Sequence, residues 1–483
     1  MTEVREPVAG RSEDETGAGG DGWRALFEAR RLAAVTVLAG GVALYATNEY
    51  VTAALLPSAV AELGGDRFYA WVTTAFLSAS VVSAMLVPRA LLLWGARRAY
   101  AVAFGIFALG SLINAVAPAM EIIVAGRAVQ GFGGGLLSGL GYAVIRSALP
   151  APLWARATAL VSAMWAVGNL LGPSLGGVFA ELRWWRAAFA VMIALPLALA
   201  VIARRVLPAA PVTAGERPRL PVTALILLTA AAALFSVTAV LPRGIATVAG
   251  LAAGIGLLIA FVLVERRSAT SVLPRLTYRA GNPLKWVYLT LAALSGVAMV
   301  EAFLPLFGQR LGGLTPVVAG FFGATLAVGW IAGQLTSVGI TTAPARRRAV
   351  VAGALTLTAA MTGYGMLQAE FASGPRILGW VALLFLSGVS IGFAFPHLSV
   401  AAMSSTDDDS EAGKAAAGIS VTQLIANAIA SALAGVLVNL GSPVLLDSAR
   451  YLAFGLAAIA AAGAVTATLS QRRRDDRRYI ARR

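Results

Sequence analysis

From residue 33 to residue 470 the chain repeats apolar blocks about 20 residues long, and this recurrence limits its possible folds more than any other feature. At 1.5 Å per residue, each block is long enough to cross a hydrocarbon core of about 30 Å as a helix. Read against glycine, proline and charge breaks, the blocks fall at 33 to 58, 68 to 93, 98 to 117, 119 to 146, 156 to 181, 184 to 205 and 221 to 241. They continue at 245 to 265, 285 to 307, 314 to 341, 348 to 368, 376 to 402, 413 to 440 and 450 to 470. With 58% hydrophobic and only 13% charged residues, the chain is far from a soluble domain, where about a quarter are charged. The expected fold class is an all-α integral membrane protein with 14 spans.

An even number of spans puts both termini on one side, and the distribution of arginine says which. If the termini are cytoplasmic, 29 of the 38 basic residues fall on cytoplasmic segments and seven on outer ones, as the positive-inside rule requires. The net charge of +15 is therefore accounted for by loops facing anionic lipid, and no nucleic-acid partner is implied. Residues 1–31 lack the basic, apolar, small-residue succession of a cleaved signal, so the first span is expected to remain in the mature protein. One cytoplasmic segment, "SSTDDDSEAGK" at 404 to 414, is acidic and reads as a solvated loop leading into a helix start.

Two longer polar connections, 208 to 221 and 266 to 285, organise the spans as six, two and six. The expected division is a tail at 1–32, a six-helix bundle at 33–206, a linker at 207–220 and an extra helix pair at 221–265. A second linker at 266–284, a second six-helix bundle at 285–470 and a basic tail at 471–483 complete it. Paired six-helix halves with a site between them near the midplane are a transporter plan.

The most specific text is "GRAVQGFGGGLLSG" (126–139), then "GNLLGPSLGG" (168–177) and "WWRAAF" (184–189). Small residues four apart let helices approach closely, and a proline within a span kinks it. This run resembles the major facilitator superfamily, in particular its fourteen-span drug:proton antiporter branch. On that resemblance Gly168, Gly172, Pro173, Gly176 and Gly177 form the antiporter motif and help seal one end of the cavity. Arg127 and Gln130 match the fourth-span pair associated with proton transfer. In the loop after span two, "PRALLLWGARR" (88–98) keeps Gly95, Arg97 and Arg98, but Leu92 stands where the family's aspartate is expected and Pro88 where its first glycine is. Either another acid substitutes or gating is balanced differently.

Two carboxylates lie within apolar runs. Glu49, in "YATNEYVTAALLP", and Glu301, in "AMVEAFLPLF", occupy similar depths in the first spans of the two halves, each followed by a Leu-Pro pair. Intramembrane acids mark ion and proton paths or structural pairs. Glu49 is read as a site for protons or a cationic cargo, with Arg127 at a similar depth on the fourth span as its electrostatic partner. Structural pairing with Arg127 is the alternative. For Glu301 a second titrating site competes with a helix-packing hydrogen bond. Asn48, Trp165, Trp330, Gln334, Gln423 and Asn427 are candidates to line the cavity, although interhelical hydrogen bonds are the commoner use of the amides. Trp71, Trp184 and Trp185 are expected to anchor the interface. His397, the single histidine, is by default a satisfied interfacial residue, with a proton relay as the alternative.

With one histidine and no cysteine, a His/Cys metal site is not expected, and "GFGGG" (131–135) lacks the strand and the Lys-Ser or Lys-Thr of a phosphate loop. No cofactor is expected and energy is expected from the proton gradient. The function expected is proton-coupled efflux of amphipathic small molecules, cationic ones among them, by a monomer in a bacterial inner (plasma) membrane surrounded by lipid, and not an enzyme. The alternatives are export of one endogenous lipid or metabolite, or a non-transporting scaffold or sensor of the same fold.

Overall fold

A computed structural model describes residues 24, 26–150, 153–208, 221–268, 271–337, 340, 342–403, 405 and 409–480. The described residues form helices and turns with no strand. The first six long helices are α1 (Ala29–Leu63), α2 (Tyr69–Ala84), α3 (Val87–Ala115), α4 (Met120–Ala143), α5 (Trp154–Glu181) and α6 (Trp185–Val206). The next are α7 (Val222–Thr238) and α8 (Ile245–Arg267). The ninth rod, α9, is composite: Leu284–Val297, a 3₁₀ turn Ala298–Ala302 and Leu304–Arg310. It is followed by α10 (Pro316–Ser337), α11 (Ala343–Met366), α12 (Gly374–Met403), α13 (Asp409–Gly441) and α14 (Leu445–Ile480). Ten of the described helices are long and apolar enough to cross a membrane. At 16 and 17 residues, α2 and α7 are shorter than that measure requires.

Three expectations are corrected in detail. The second block stops at Ala84 rather than 93, and the next helix begins at Val87. Residues 87–94 make a short helical run that ends at Gly95, whose φ of 69° belongs to the left-handed region where a side chain is strained. The ninth span is not one continuous helix. Pro305 lacks the N–H that would bond the carbonyl of Glu301, and its ring crowds that carbonyl, so the turn over Ala298–Ala302 tightens to 3₁₀. Finally, the segment 471–480 extends α14 instead of leaving it at 470. In the acidic run at 404–414, residues 404 and 406–408 lie outside the described residues and α13 begins at Asp409, while the linker at 207–220 lies outside them from residue 209 onward.

Helices α6 and α8 turn large apolar side chains outward, including Leu195, Leu197, Val201, Ile255 and Ile259. In water such a surface would be costly; against lipid tails it is the ordinary exterior of a spanning bundle. The interior is closed by aromatic and small residues: Phe76, Phe104, Phe107 and Tyr100 are wholly buried in the first half, and Trp380, Tyr364 and Phe307 in the second.

The two halves meet along two seams, α5 against α10 and α2 against α13. Contacts across them gather at the end remote from the two linkers. The Tyr69 hydroxyl donates to Ala302 O (3.3 Å) and its ring stacks on Phe303 (5.1 Å). Thr74 and Ser431 share a hydrogen bond of 3.1 Å. At the same end Glu62 accepts hydrogen bonds from the Trp185 indole N–H (2.7 Å) and from Arg186, tying α1 to α6. Trp185 is therefore buried, not an interface anchor, whereas Trp184 is 64% exposed.

Candidate functional site

The site is built around α1, whose neighbours are held close by glycine. Gly168, Gly172 and Gly176 lie on one face of α5, where a Cβ would run into Ala46, into Tyr50 (2.5 Å) and into Val51 O (2.6 Å) respectively. Gly177 lies on the opposite side, where a Cβ would stand 2.8 Å from the Cα of Val317 and 3.1 Å from Pro316 O. The reverse contact is made by Gly320 of α10, which faces Pro173 O. The glycine-proline element thus wedges α5 between α1 of its own half and α10 of the other.

That packing positions Glu49 and Tyr50, both partly buried, toward the junction of the halves. Across the junction the 3₁₀ turn of α9 reaches α1 and carries Glu301, which is 7% exposed. The Tyr50 hydroxyl stands beside the Glu301 carboxyl, and Glu49 lies within electrostatic range of both. Glu301 Oε1 nevertheless has no hydrogen-bond partner of ordinary geometry. The two acids, one from each half, therefore belong to one cluster.

Arg127 is 1% exposed and enters this cluster from α4. Its guanidinium donates to Gln130 Oε1 (2.7 Å) and to Val72 O (3.3 Å) and lies 4.0 Å from the centre of the Phe76 ring. Gln130 in turn donates to Ser111 Oγ (2.7 Å) and accepts from Asn114 Nδ2 (3.3 Å). Among the described residues no ion pair joins Arg127 to Glu49, but the two interact electrostatically at longer range. The cation is held by neutral groups and a ring face, an arrangement that leaves its field available to Glu49. Ser111 and Asn114 are members of this network that a reading of apolar runs passes over. A polar pair three residues apart in α3 was the available signal.

The remaining candidates are spread over both halves. Asn48 is fully buried, and neither amide atom has a hydrogen-bond partner. Trp165 is partly buried and meets Tyr45 edge-on at 5.4 Å, and Trp330 lies 5.6 Å from Phe395. Gln334 and Gln423 are partly buried. The Asn427 amide, oriented to satisfy its nitrogen, donates to Gln423 O (3.2 Å) and Ser295 O (3.3 Å), which joins α13 to α9. His397 is 6% exposed, its Nε2 unpartnered and its ring edge-on to Phe393 at 6.3 Å.

At the linker end, Arg97 closes α6: its Nε donates to Leu207 O at 2.8 Å, a cation on the carbonyl end of a helix. Arg98 is exposed and Leu92 is partly exposed. Among the described residues no acid forms an ion pair with Arg97 or Arg98. No group of three or more metal-ligating side chains occurs among the described residues.

Two six-helix halves packed on each other along the α5–α10 and α2–α13 seams, with Glu49, Glu301 and Arg127 gathered where they meet, have the architecture of a membrane transporter. Residues 38–407 match the Major Facilitator Superfamily, and the chain belongs to that family. It is 46% identical over 458 residues to the probable multidrug-efflux transporter Rv1634 of Mycobacterium tuberculosis (strain ATCC 25618 / H37Rv), covering 93% of this chain and 97% of that one. It is 30% identical over 296 residues to the cephamycin export protein CmcT of Amycolatopsis lactamdurans, covering 58% of each. Its fold is similar to the crystal structure of a bacterial homolog of the human lysosomal transporter Spinster in an inward-facing, unoccupied conformation. The TM-score is 0.65 at 12% identity, covering 92% of this chain and 98% of that one. An auto-inhibited POT family peptide transporter superposes with a TM-score of 0.64 at 15% identity, covering 91% and 96%.

Proposed function

We propose that the protein is a proton-coupled antiporter that exports amphipathic small molecules, cationic ones among them, by rocking its two six-helix halves about the junction of α1 and α9. All fourteen rods cross the plasma membrane in this reading, with the termini and both linkers in the cytoplasm, as the arginine distribution supports. The observation that carries it is the cluster of Glu49, Tyr50 and Glu301 across the junction, within the field of Arg127. A carboxyl group enclosed by protein exchanges its proton with whichever side supplies water, and rocking changes that side. A cationic cargo and a proton would then compete for the same negative charge. Similarity to a probable multidrug-efflux transporter and to a cephamycin export protein supports drug-like cargo.

Among the described residues no ion pair forms at Arg97 or Arg98 on the linker end, and the opposite end is packed through Gly177 and Gly320. This is a state closed toward the outside. The reading is tested in proteoliposomes loaded with a lipophilic cationic dye such as ethidium. An imposed pH gradient should drive dye against its concentration gradient, and collapsing the gradient with an ionophore should stop it. Dye movement equal to that in empty vesicles would refute antiport. Glu301→Gln should lower gradient-driven flux about threefold to tenfold, because it removes one of two interacting acids while Glu49 remains.

A further inference from the structure

The helix pair α7–α8 lies outside the two six-helix halves and touches both. Ala231, Phe235 and Ala239 pack with Ala432 and Val436 of α13. Toward the linker end Leu228 packs with Val421 and Ile425 of α13 and with Met85 of the first half. A cleft between α2, α7 and α13 is lined by Val81, Leu228 and Ile425 among others. By apolar contact alone the pair could belong to either half.

Hydrogen bonds distinguish the two sides. At the end remote from the linkers, Asn439 Nδ2 of α13 donates to Leu241 O in the α7–α8 turn at 3.0 Å. At the other end the Glu265 carboxylate, 1% exposed, terminates α8 by accepting the N–H groups of Val272 (3.0 and 2.9 Å) and Leu273 (3.1 Å) and the Tyr278 hydroxyl (3.2 Å). Burial, and then the carboxylate beside it, hold the Tyr278 hydroxyl well above the ordinary tyrosine range, so it remains a donor. The segment folded back in this way is itself fixed to the second half. Pro274 lies where a side chain on Gly418 of α13 would stand (3.1 Å) and Asn282 Nδ2 donates to Ser405 O (3.4 Å). Among the described residues no hydrogen bond joins α7 or α8 to the first half.

We infer that Glu265 is a positioning residue. By fastening the linker beneath α8 it makes α7–α8 part of the second half, so that in transport the pair travels with α13 while α2 slides past it. An unsatisfied carboxylate buried at this point would be costly, whereas one accepting several N–H and O–H bonds is a stable joint. The inference rests on the rocking motion proposed above.

The chain has no cysteine, so paired cysteines can be introduced without background. Three pairs use only the cleft residues: Leu228→Cys with Ile425→Cys, Val81→Cys with Leu228→Cys, and Val81→Cys with Ile425→Cys. After thiol cross-linking in proteoliposomes, the 228–425 protein should keep at least half of its gradient-driven dye flux. The 81–228 and 81–425 proteins should each lose more than tenfold, recovered on reduction. If the 81–425 link is harmless, the halves do not rock there and the transport reading falls. If that link blocks flux while 81–228 is harmless, or 228–425 blocks, the assignment of the pair to the second half is overturned. In Glu265→Ala the 81–228 link should inhibit less than threefold, since the pair is released to follow α2, and Glu265→Gln, which keeps one acceptor oxygen, should be intermediate. Unchanged inhibition in both variants would overturn the role of Glu265.

Discussion

Replacing Glu49 with glutamine should abolish uphill, gradient-driven efflux while leaving downhill exchange of cargo in place. The substitution preserves volume and a hydrogen-bonding head and removes only the titration. Glu49 forms no ion pair among the described residues, so its charge is not neutralised by a fixed partner. Its neighbours Tyr50 and Glu301, together with the field of Arg127, make the charge state of Glu49 a property of the whole junction. A loss of at least tenfold in gradient-driven flux, with dye counterflow reduced less than threefold, is the expected pattern. The pH dependence of dye binding has a definite sign. A carboxylate attracts a cation only when ionised, so affinity in the parent should fall as pH is lowered, and in Glu49→Gln that dependence should flatten. If Glu49→Gln pumps normally, the proton is carried elsewhere and Glu301 becomes the first alternative. If counterflow is lost along with pumping, Glu49 serves cargo binding or packing and not coupling alone.

Much of the architecture is legible because a span must satisfy its backbone internally and present apolar side chains for about 20 residues, which writes a strong one-dimensional signal. That signal fails where apolar text runs through a break in the chain. "SAMLVPRALLLWG" carries a single charge, Arg89, which marks neither break: the chain leaves α2 at Ala84 and turns again at Gly95. The 3₁₀ turn carrying Glu301 was readable in principle from Pro305, four residues on, because proline denies that carbonyl its usual partner. The equivalent proline after Glu49, Pro57, is eight residues away and leaves α1 helical at the acid. The halves are thus less alike around their acids than the shared Leu-Pro suggests.

Site residues divide in the same way. A charged or glycine-rich span announces itself, so Glu49, Glu301, Arg127 and the glycine-proline element stand out. Which face meets which neighbour is three-dimensional information. Ser111 and Asn114 became visible only when α3 was set beside α4, and Tyr50 only when Gly172 was seen against it. The placement of α7–α8 was the least legible part. Both helices are apolar around their whole circumference, so no stripe indicates a partner. Their attachment is carried by a few polar atoms at their ends, Glu265 and the Leu241 carbonyl, which periodicity does not weigh.

Gly177→Leu should force the halves apart at the end remote from the linkers and trap the protein open on that side. A Cβ at Gly177 would already stand 2.8 Å from the Val317 Cα, closer than a carbon can sit against another backbone, and a leucine adds three further carbons. Neither partner is a flexible side chain that could swing away, so relief requires separating α5 from α10. Because Gly320 faces Pro173 O at the same seam, the contact cannot be restored by a slide along the helices. A cysteine introduced at Trp330 should react with an impermeant thiol reagent from outside at least tenfold faster in the Gly177→Leu background, and gradient-driven flux should fall by a similar factor. Gly105→Leu and Gly256→Leu are matched controls, since nothing lies within 4 Å of a Cβ at either position, and both should leave reactivity and flux near parental levels. Slower labelling, or equal effects from the control positions, would mean that the α5–α10 contact is not the outer closure. The sign of the labelling change thus separates a seal, whose removal exposes the cavity, from a mere packing contact, whose loss would lower flux without changing access from one side.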